Sequence, residues 1–223
     1  MYKLLLLISL TLLTACGAPT EPITEQDSKT EKTILALGDS LTAGYGLPTT
    51  DSYPSQLEQK LTEKWYNYRI VNAGVSGDTT AGLLSRLDWA LDAPPHEKGD
   101  WGGFSLVILC IGANDAFQGK SVDDIEKNLR QIIEKIKAKN IPILFAGMRA
   151  PLNLGWEYGR AYEAIFPKLA KEYDLVYMDF FLAWVALKAQ YNQDDRIHPT
   201  REWYTIVAEN LMEILEGEEL VGK

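Results

Sequence analysis

Ser40, Asp195 and His198 are the residues of this chain whose types and spacing suit chemistry best. A serine hydroxyl is a weak nucleophile until a base takes its proton. The base in turn needs a partner that fixes its tautomer and stabilises the imidazolium. Gly38-Asp39-Ser40-Leu41-Thr42-Ala43-Gly44 presents the serine, and Asp195-Arg196-Ile197-His198 presents acid and base three residues apart. That spacing lets the carboxylate face the ring within one turn of chain, and Pro199 biases His198 towards an extended, stiffer backbone. An imidazole ordinarily titrates at about 6.5, which suits a base working near neutral pH. Acyl transfer also needs donors aimed at the developing oxyanion. The candidates are the Ser40 N–H, the Gly77 N–H in Ser76-Gly77-Asp78, and the side-chain amide of Asn114 in Gly112-Ala113-Asn114-Asp115.

These groups are far apart in sequence, so secondary elements must gather them. Short apolar runs at 34–37, 68–72, 104–111, 141–146 and 175–178 read as strands. They alternate with amphipathic stretches at 52–65, 79–91, 122–137, 158–172 and 200–215, which read as helices. Buried strands alternating with helices imply an α/β fold, a parallel sheet covered on both faces. Sites in such sheets form at the carboxyl ends of strands, where the strand order reverses. Ser40 follows the first strand, Gly77 the second and Asn114 the third, while the Asp-His segment follows the last. In a sheet ordered 2-1-3-4-5 these segments meet in one crevice.

Each piece alone has a plainer explanation. Asp39-Ser40 suits a helix cap, Gly77 a positive-φ turn, and Asn114 an ordinary turn. His96, in the loop 92–100, reads as a surface residue. The catalytic reading rests on the joint pattern, with every piece at a predicted strand end. A two-metal phosphoesterase built from Asp39, Asn114, Asp115, Asp195 and His198 is disfavoured, because such sites gather several histidines and the chain has two. A lipoprotein that only binds a ligand has no need of serine, aspartate and histidine together.

The formal charge is −9, with no basic stripe, which argues against nucleic acid as a partner. Lys3 followed by the apolar run 4–13 reads as a signal peptide, too short to span a bilayer. Leu13-Thr14-Ala15-Cys16 is similar to the lipobox of bacterial lipoproteins, so residues 1–15 are expected to be removed and Cys16 lipidated. Gly17 in place of an aspartate points to the outer membrane, facing the periplasm. The expected division is then a lipid anchor and flexible tether over 16–32, a catalytic domain over 33–217 and a short tail over 218–223. Cys110 is left without a disulfide partner and is expected to be a buried apolar residue.

Gly38-Asp39-Ser40-Leu41 with Gly77, Gly112-x-Asn114-Asp115 and Asp195-x-x-His198 resembles the four blocks of the SGNH, or GDSL, hydrolases. Residues 73–82, Tyr158 to Ala170 and Asn192 to Pro199 are similar to the thioesterase I, lysophospholipase and arylesterase branch. The likeness runs from about Ile34 to the last helix. It implies a flavodoxin-like three-layer α/β/α sandwich with five parallel strands, and no cofactor or metal. It also implies a triad of Ser40, Asp195 and His198, with Ser40, Gly77 and Asn114 as oxyanion hole. The implied partner is a small-molecule or lipid ester, and the leaving group is open. Deacetylation of envelope polysaccharide is the alternative substrate class. Met148, Pro151 and Leu152, with Leu154, follow the fourth strand and are expected to line an acyl or aryl site. Two departures from the branch stand out: Ala-Phe-Gln-Gly-Lys after Asp115, and a long connection over 94–103. An export signal argues against a cytoplasmic coenzyme A thioester as the natural substrate.

Overall fold

The computed structural model describes residues 31–92, 103–182 and 188–222, apart from the side chains at 152 and 189. The leader, Cys16, nearly all of the tether, and His96 with its loop lie outside the described residues. Five strands form one all-parallel sheet: β1 (Lys32–Gly38), β2 (Tyr68–Gly74), β3 (Phe104–Cys110), β4 (Ile143–Ala146) and β5 (Val176–Met178). The order is β2-β1-β3-β4-β5, as expected. Every strand and helix expected from the sequence is present, with ends shifted by a few residues. The fourth strand begins at Ile143 rather than 141, after Pro142, which has no N–H to give a ladder.

Long helices connect the strands, α2 (Tyr53–Glu63), α3 (Thr80–Asp92), α5 (Val122–Ala138) and α6 (Trp156–Tyr173), and α7 (Arg201–Gly217) follows the last strand. Two short ones, α1 (Ser40–Ala43) and α4 (Ala113–Phe117), follow β1 and β3 directly. The chain leaves β1 in one direction to reach β2, then turns back across β1 to β3, β4 and β5. Right-handed crossovers therefore put α2 on one face and α3, α5 and α6 on the other. Packing agrees, with α2 against α7 and with α3, α5 and α6 in a row. Helix α5 shows the sequence logic. Ile125, Leu129, Ile132, Ile133 and Ile136 form its buried stripe, Ser121 caps its start, and Lys135 and Lys137 sit in its last turn.

The core is the sheet itself. Ile34 to Leu37 and Leu106 to Cys110 are buried on both faces, which explains why they are continuous rather than alternating apolar runs. The expected tail packs back on the body: Val221 is buried, and the Gly222 N–H donates to the Tyr68 hydroxyl. Cys110 is fully buried, and burial pushes its thiol well above the usual range, so it serves as a small core residue.

Strand register does the positioning. Gly38 pairs with both Gly74 and Cys110, so β1, β2 and β3 end level with one another. The loops that leave those three residues start from one line across the sheet.

Candidate active site

Ser40 is the first residue of α1, two residues beyond the end of β1. Such a sharp exit requires a backbone without side chains beside it. A Cβ on Gly38 would stand 2.1 Å from Thr42 Oγ1 and 2.4 Å from the Cys110 carbonyl. A Cβ on Gly74 would stand 2.2 Å from the Ala43 backbone nitrogen, so only glycine lets β2 end against α1. Asp39 caps the turn, its Oδ1 accepting from the Leu41 N–H at 2.9 Å. Gly44, at φ 78°, closes it. As the first helical residue, Ser40 has an N–H with no acceptor inside its own helix.

The other two parts come from the C-terminal loop. His198 Nε2 lies 2.9 Å from Ser40 Oγ, and His198 Nδ1 lies 2.6 Å from Asp195 Oδ2. The structure thus brings together Ser40, His198 and Asp195, which are 158 and 3 residues apart along the chain. Asp195 Oδ1 also accepts from the Ile197 and His198 N–H groups at 2.9 Å each. Partial burial pushes the Asp195 carboxyl up, but the bonds from the His198 ring and from these two N–H groups outweigh it and hold the pKa at about 2. It is therefore an anion at any pH near neutrality, facing Nδ1 and leaving Nε2 towards the serine.

On the opposite side, Asn114 Nδ2 donates to the Asp78 carbonyl at 2.9 Å and makes a long contact of 3.4 Å to Asp39 Oδ2. Gly77 sits at φ 86° at the tip of the exposed turn closed by Asp78 N–H to the Val75 carbonyl, and a Cβ there would meet nothing within 4 Å. Asp115, next to Asn114 in sequence, turns inward, where both carboxylate oxygens take the N–H and hydroxyl of Thr80 at the start of α3. Asp115 therefore ties α4 to α3, and Asn114 is left facing the loop that carries Gly77.

Several contributors were not picked out by reading the sequence. Arg86, on α3, donates to Asp78 Oδ2 at 2.7 Å and to the carbonyls of Ala73 and Gly38 at 2.9 and 3.2 Å. It fastens the Gly77 loop to the ends of β1 and β2. The only sequence signal is its place eight residues after Asp78, about two helical turns on. Tyr45 lays its ring against His198, with centroids 4.4 Å apart. Gln193, directly before the Asp-Asp pair, belongs with it. Of the residues expected to line an acyl site, Met148 is instead a core residue, 2% exposed, because the chain still runs beside β5 there, the Gly147 N–H donating to the Met178 carbonyl at 2.8 Å. Pro151 is half-buried, and Leu152 opens the short 3-10 turn Leu152–Leu154. Among the described residues, no group of three or more His, Cys, Asp or Glu side chains is placed to hold a metal ion.

A serine, an imidazole and a carboxylate thus stand in line at the switch point of an open parallel sheet. Residues 36–206 match the GDSL-like Lipase/Acylhydrolase family, and the chain belongs to it. It is 39% identical over 177 residues to the Escherichia coli K12 protein thioesterase 1/protease 1/lysophospholipase L1, covering 79% of this chain and 80% of that one. It is 35% identical over 182 residues to a Vibrio mimicus arylesterase, covering 82% and 87%. Among solved structures, the SGNH-hydrolase family esterase AlinE4 superposes with a TM-score of 0.70 at 41% identity, covering 86% of this chain and 96% of that one. The protein is an ester hydrolase of the SGNH type.

Proposed function

We propose that the protein hydrolyses carboxylic esters of apolar acyl or aryl groups through a covalent acyl-enzyme on Ser40. The observation that carries this reading is the unbroken chain Ser40 Oγ, His198 Nε2, His198 Nδ1, Asp195 Oδ2, with links of 2.9 and 2.6 Å. Ser40 Oγ attacks the ester carbonyl while its proton passes to His198 Nε2. The carbonyl oxygen takes the negative charge and is met by the N–H groups of Ser40 and Gly77 and by the Asn114 amide, whose long contact to Asp39 is the one exchanged. His198 then gives its proton to the departing alkoxide or phenoxide, leaving the acyl group on Ser40. Water adds to the acyl-enzyme as His198 takes its proton, and collapse of the second tetrahedral adduct returns Ser40 and frees the acid.

The apolar preference is supported by what surrounds these groups. Tyr45, Val75, Phe117 and Ile197 are each 44–53% exposed, and each lies within five residues of Ser40, Gly77, Asn114 or His198. The relatives named arylesterase and lysophospholipase agree with an apolar substrate on either side of the ester.

The test is hydrolysis of p-nitrophenyl esters from acetyl to palmitoyl by the full chain and by Ser40→Ala. Loss of at least about ten-thousand-fold in kcat for Ser40→Ala is expected. Retained turnover in that variant would remove the serine reading. The chain-length optimum sizes the acyl site, and an acetyl-only profile would favour the polysaccharide alternative.

We further infer that the mature protein is held on the bacterial outer membrane by lipid on Cys16. The lipobox-like residues 13–16 and the polar tether support this. Metabolic labelling with palmitate should mark the wild type and spare Cys16→Ser.

A further inference from the structure

The nucleophile turn and the acid–base loop come from opposite ends of the chain, yet the Ser40 and His198 atoms must be registered to a few tenths of an ångström. Gln193 joins the two. Its side-chain Nε2 donates to the Tyr45 carbonyl at 2.8 Å and to the Pro199 carbonyl at 2.8 Å. Its backbone N–H donates to the His198 carbonyl at 2.7 Å, and its carbonyl accepts from the Arg196 N–H at 2.9 Å. On the other side, the Tyr45 N–H donates to the Ser40 carbonyl at 3.2 Å. These bonds close a ring that runs from Ser40 to Tyr45, to Gln193, to the residue after His198, and back across the 2.9 Å Ser40–His198 contact. Among the described residues, no other hydrogen bond links the turn over 38–46 to the loop over 192–199 apart from Ser40–His198 itself.

Two further features fit this role. Gly46 is a glycine where a Cβ would stand 2.3 Å from Gln193 Oε1, so the turn leaves room for the Gln193 amide. The Tyr45 ring, whose backbone Gln193 holds, rests against the His198 imidazole. A primary amide supplies two N–H donors in one plane for two carbonyls, and those two acceptors fix which end of the amide is nitrogen.

We propose that Gln193 is a positioning residue that sets the Ser40–His198 register by clamping the Tyr45 and Pro199 carbonyls. The proposal rests on the catalytic reading of Ser40 and His198. A base displaced by even part of an ångström loses its near-attack geometry, so the loss falls first on kcat, while the rim residues outside the clamp, Val75 and Phe117, keep holding the substrate.

The experiment compares kcat and KM of the full chain with p-nitrophenyl butyrate for wild type, Gln193→Ala, Gln193→Glu and Ser40→Ala, with thermal melting of each. Gln193→Ala is expected to lower kcat by about ten- to thirtyfold with KM within about twofold. Gln193→Glu has the same shape but turns a carboxylate towards two carbonyls, and is expected to lower kcat further still. If Gln193→Ala melts below the assay temperature, Gln193→Glu carries the test. Gly46→Ala is expected to lower kcat as well, and less than additively in the double variant with Gln193→Ala, because both act on one clamp. A kcat within twofold of wild type in a folded Gln193→Glu, or a rise in KM alone, overturns the clamp. Ser40→Ala retaining turnover would instead overturn the catalytic reading beneath it.

Discussion

Ser40 and His198 are held in place by different physics. Around Ser40 the chain is packed: Asp39 and Thr42 are fully buried, Leu41 nearly so, and the β3 backbone presses on Gly38 and the α1 backbone on Gly74, where neither has a Cβ. Around His198 the chain is tied: Asp194, Asp195, Arg196 and Ile197 are exposed. Bonds from Asp195 Oδ1, from Gln193 and from the Asn192–Pro199 bridge give that loop its shape. Arg196, at φ 60°, turns the corner between them. Packing resists displacement in every direction, and hydrogen bonds resist it along a few.

If that contrast is right, changes in the loop should cost rate and spare the fold, and changes in the turn should cost the fold. The largest effect is expected from Asp195→Asn, which keeps an acceptor for the Ile197 and His198 N–H groups but loses the charge facing Nδ1. Its kcat should fall by about ten-thousand-fold with the melting temperature within a few degrees of wild type. A collapse of stability alongside the loss of rate would show that the loop, too, is part of the folded core.

The next effect separates two glycines of the same crevice. Gly74→Ala drives a Cβ into the Ala43 backbone at 2.2 Å, and should lower the melting temperature by more than about 10 °C or abolish soluble expression. Gly77→Ala meets nothing within 4 Å and carries only the strain of φ 86°, about 1 kcal/mol or a few degrees. Equal melting temperatures for the two variants would mean that β2 does not lock the serine turn.

The smallest effect concerns Asp39. Burial lifts its carboxyl to about 7, against the opposing pull of the Leu41 N–H. Between about pH 4 and pH 7 the folded protein therefore keeps a proton that the unfolded chain has released. Stability falls across that window as pH rises and is level above it. Asp39→Asn keeps the cap oxygen and stays neutral, so its melting temperature should overtake that of wild type from pH 5 to pH 8, by about 2 kcal/mol or several degrees. A constant difference across those pH values would place the charge of Asp39 outside the turn's energetics. Tightly packed turns thus carry an electrostatic cost that the polar loop, with Asp195 held at about 2, does not.

Much of the site was legible before any fold was known, because its groups are chemically obligatory and sit next to strand ends. Buried parallel strands are continuous apolar runs, so β1 and β3 announce themselves, and Ser40 and Asn114 follow them directly. Asp195 and His198 are legible because three residues of chain suffice to make the pair. What escaped is short or long-range. Helices α1 and α4, of four and five residues, are too brief for any periodicity. Arg86 and Gln193 act through backbone carbonyls, which every residue has, so nothing in their own neighbourhood reveals the partner. Met148 looked like cleft wall because an apolar residue after a strand suits either side of the surface; only packing decides which.

The sequence alone determined the alternation of strands and helices, the glycines that let them end together, and which groups are the candidates to react, since these follow from side-chain chemistry and local spacing. The tertiary structure decided the level at which β1, β2 and β3 stop, the 2.9 Å between Ser40 and His198, and the partners of Arg86 and Gln193. Those depend on strand register and on contacts across as many as 158 residues, which no local pattern encodes.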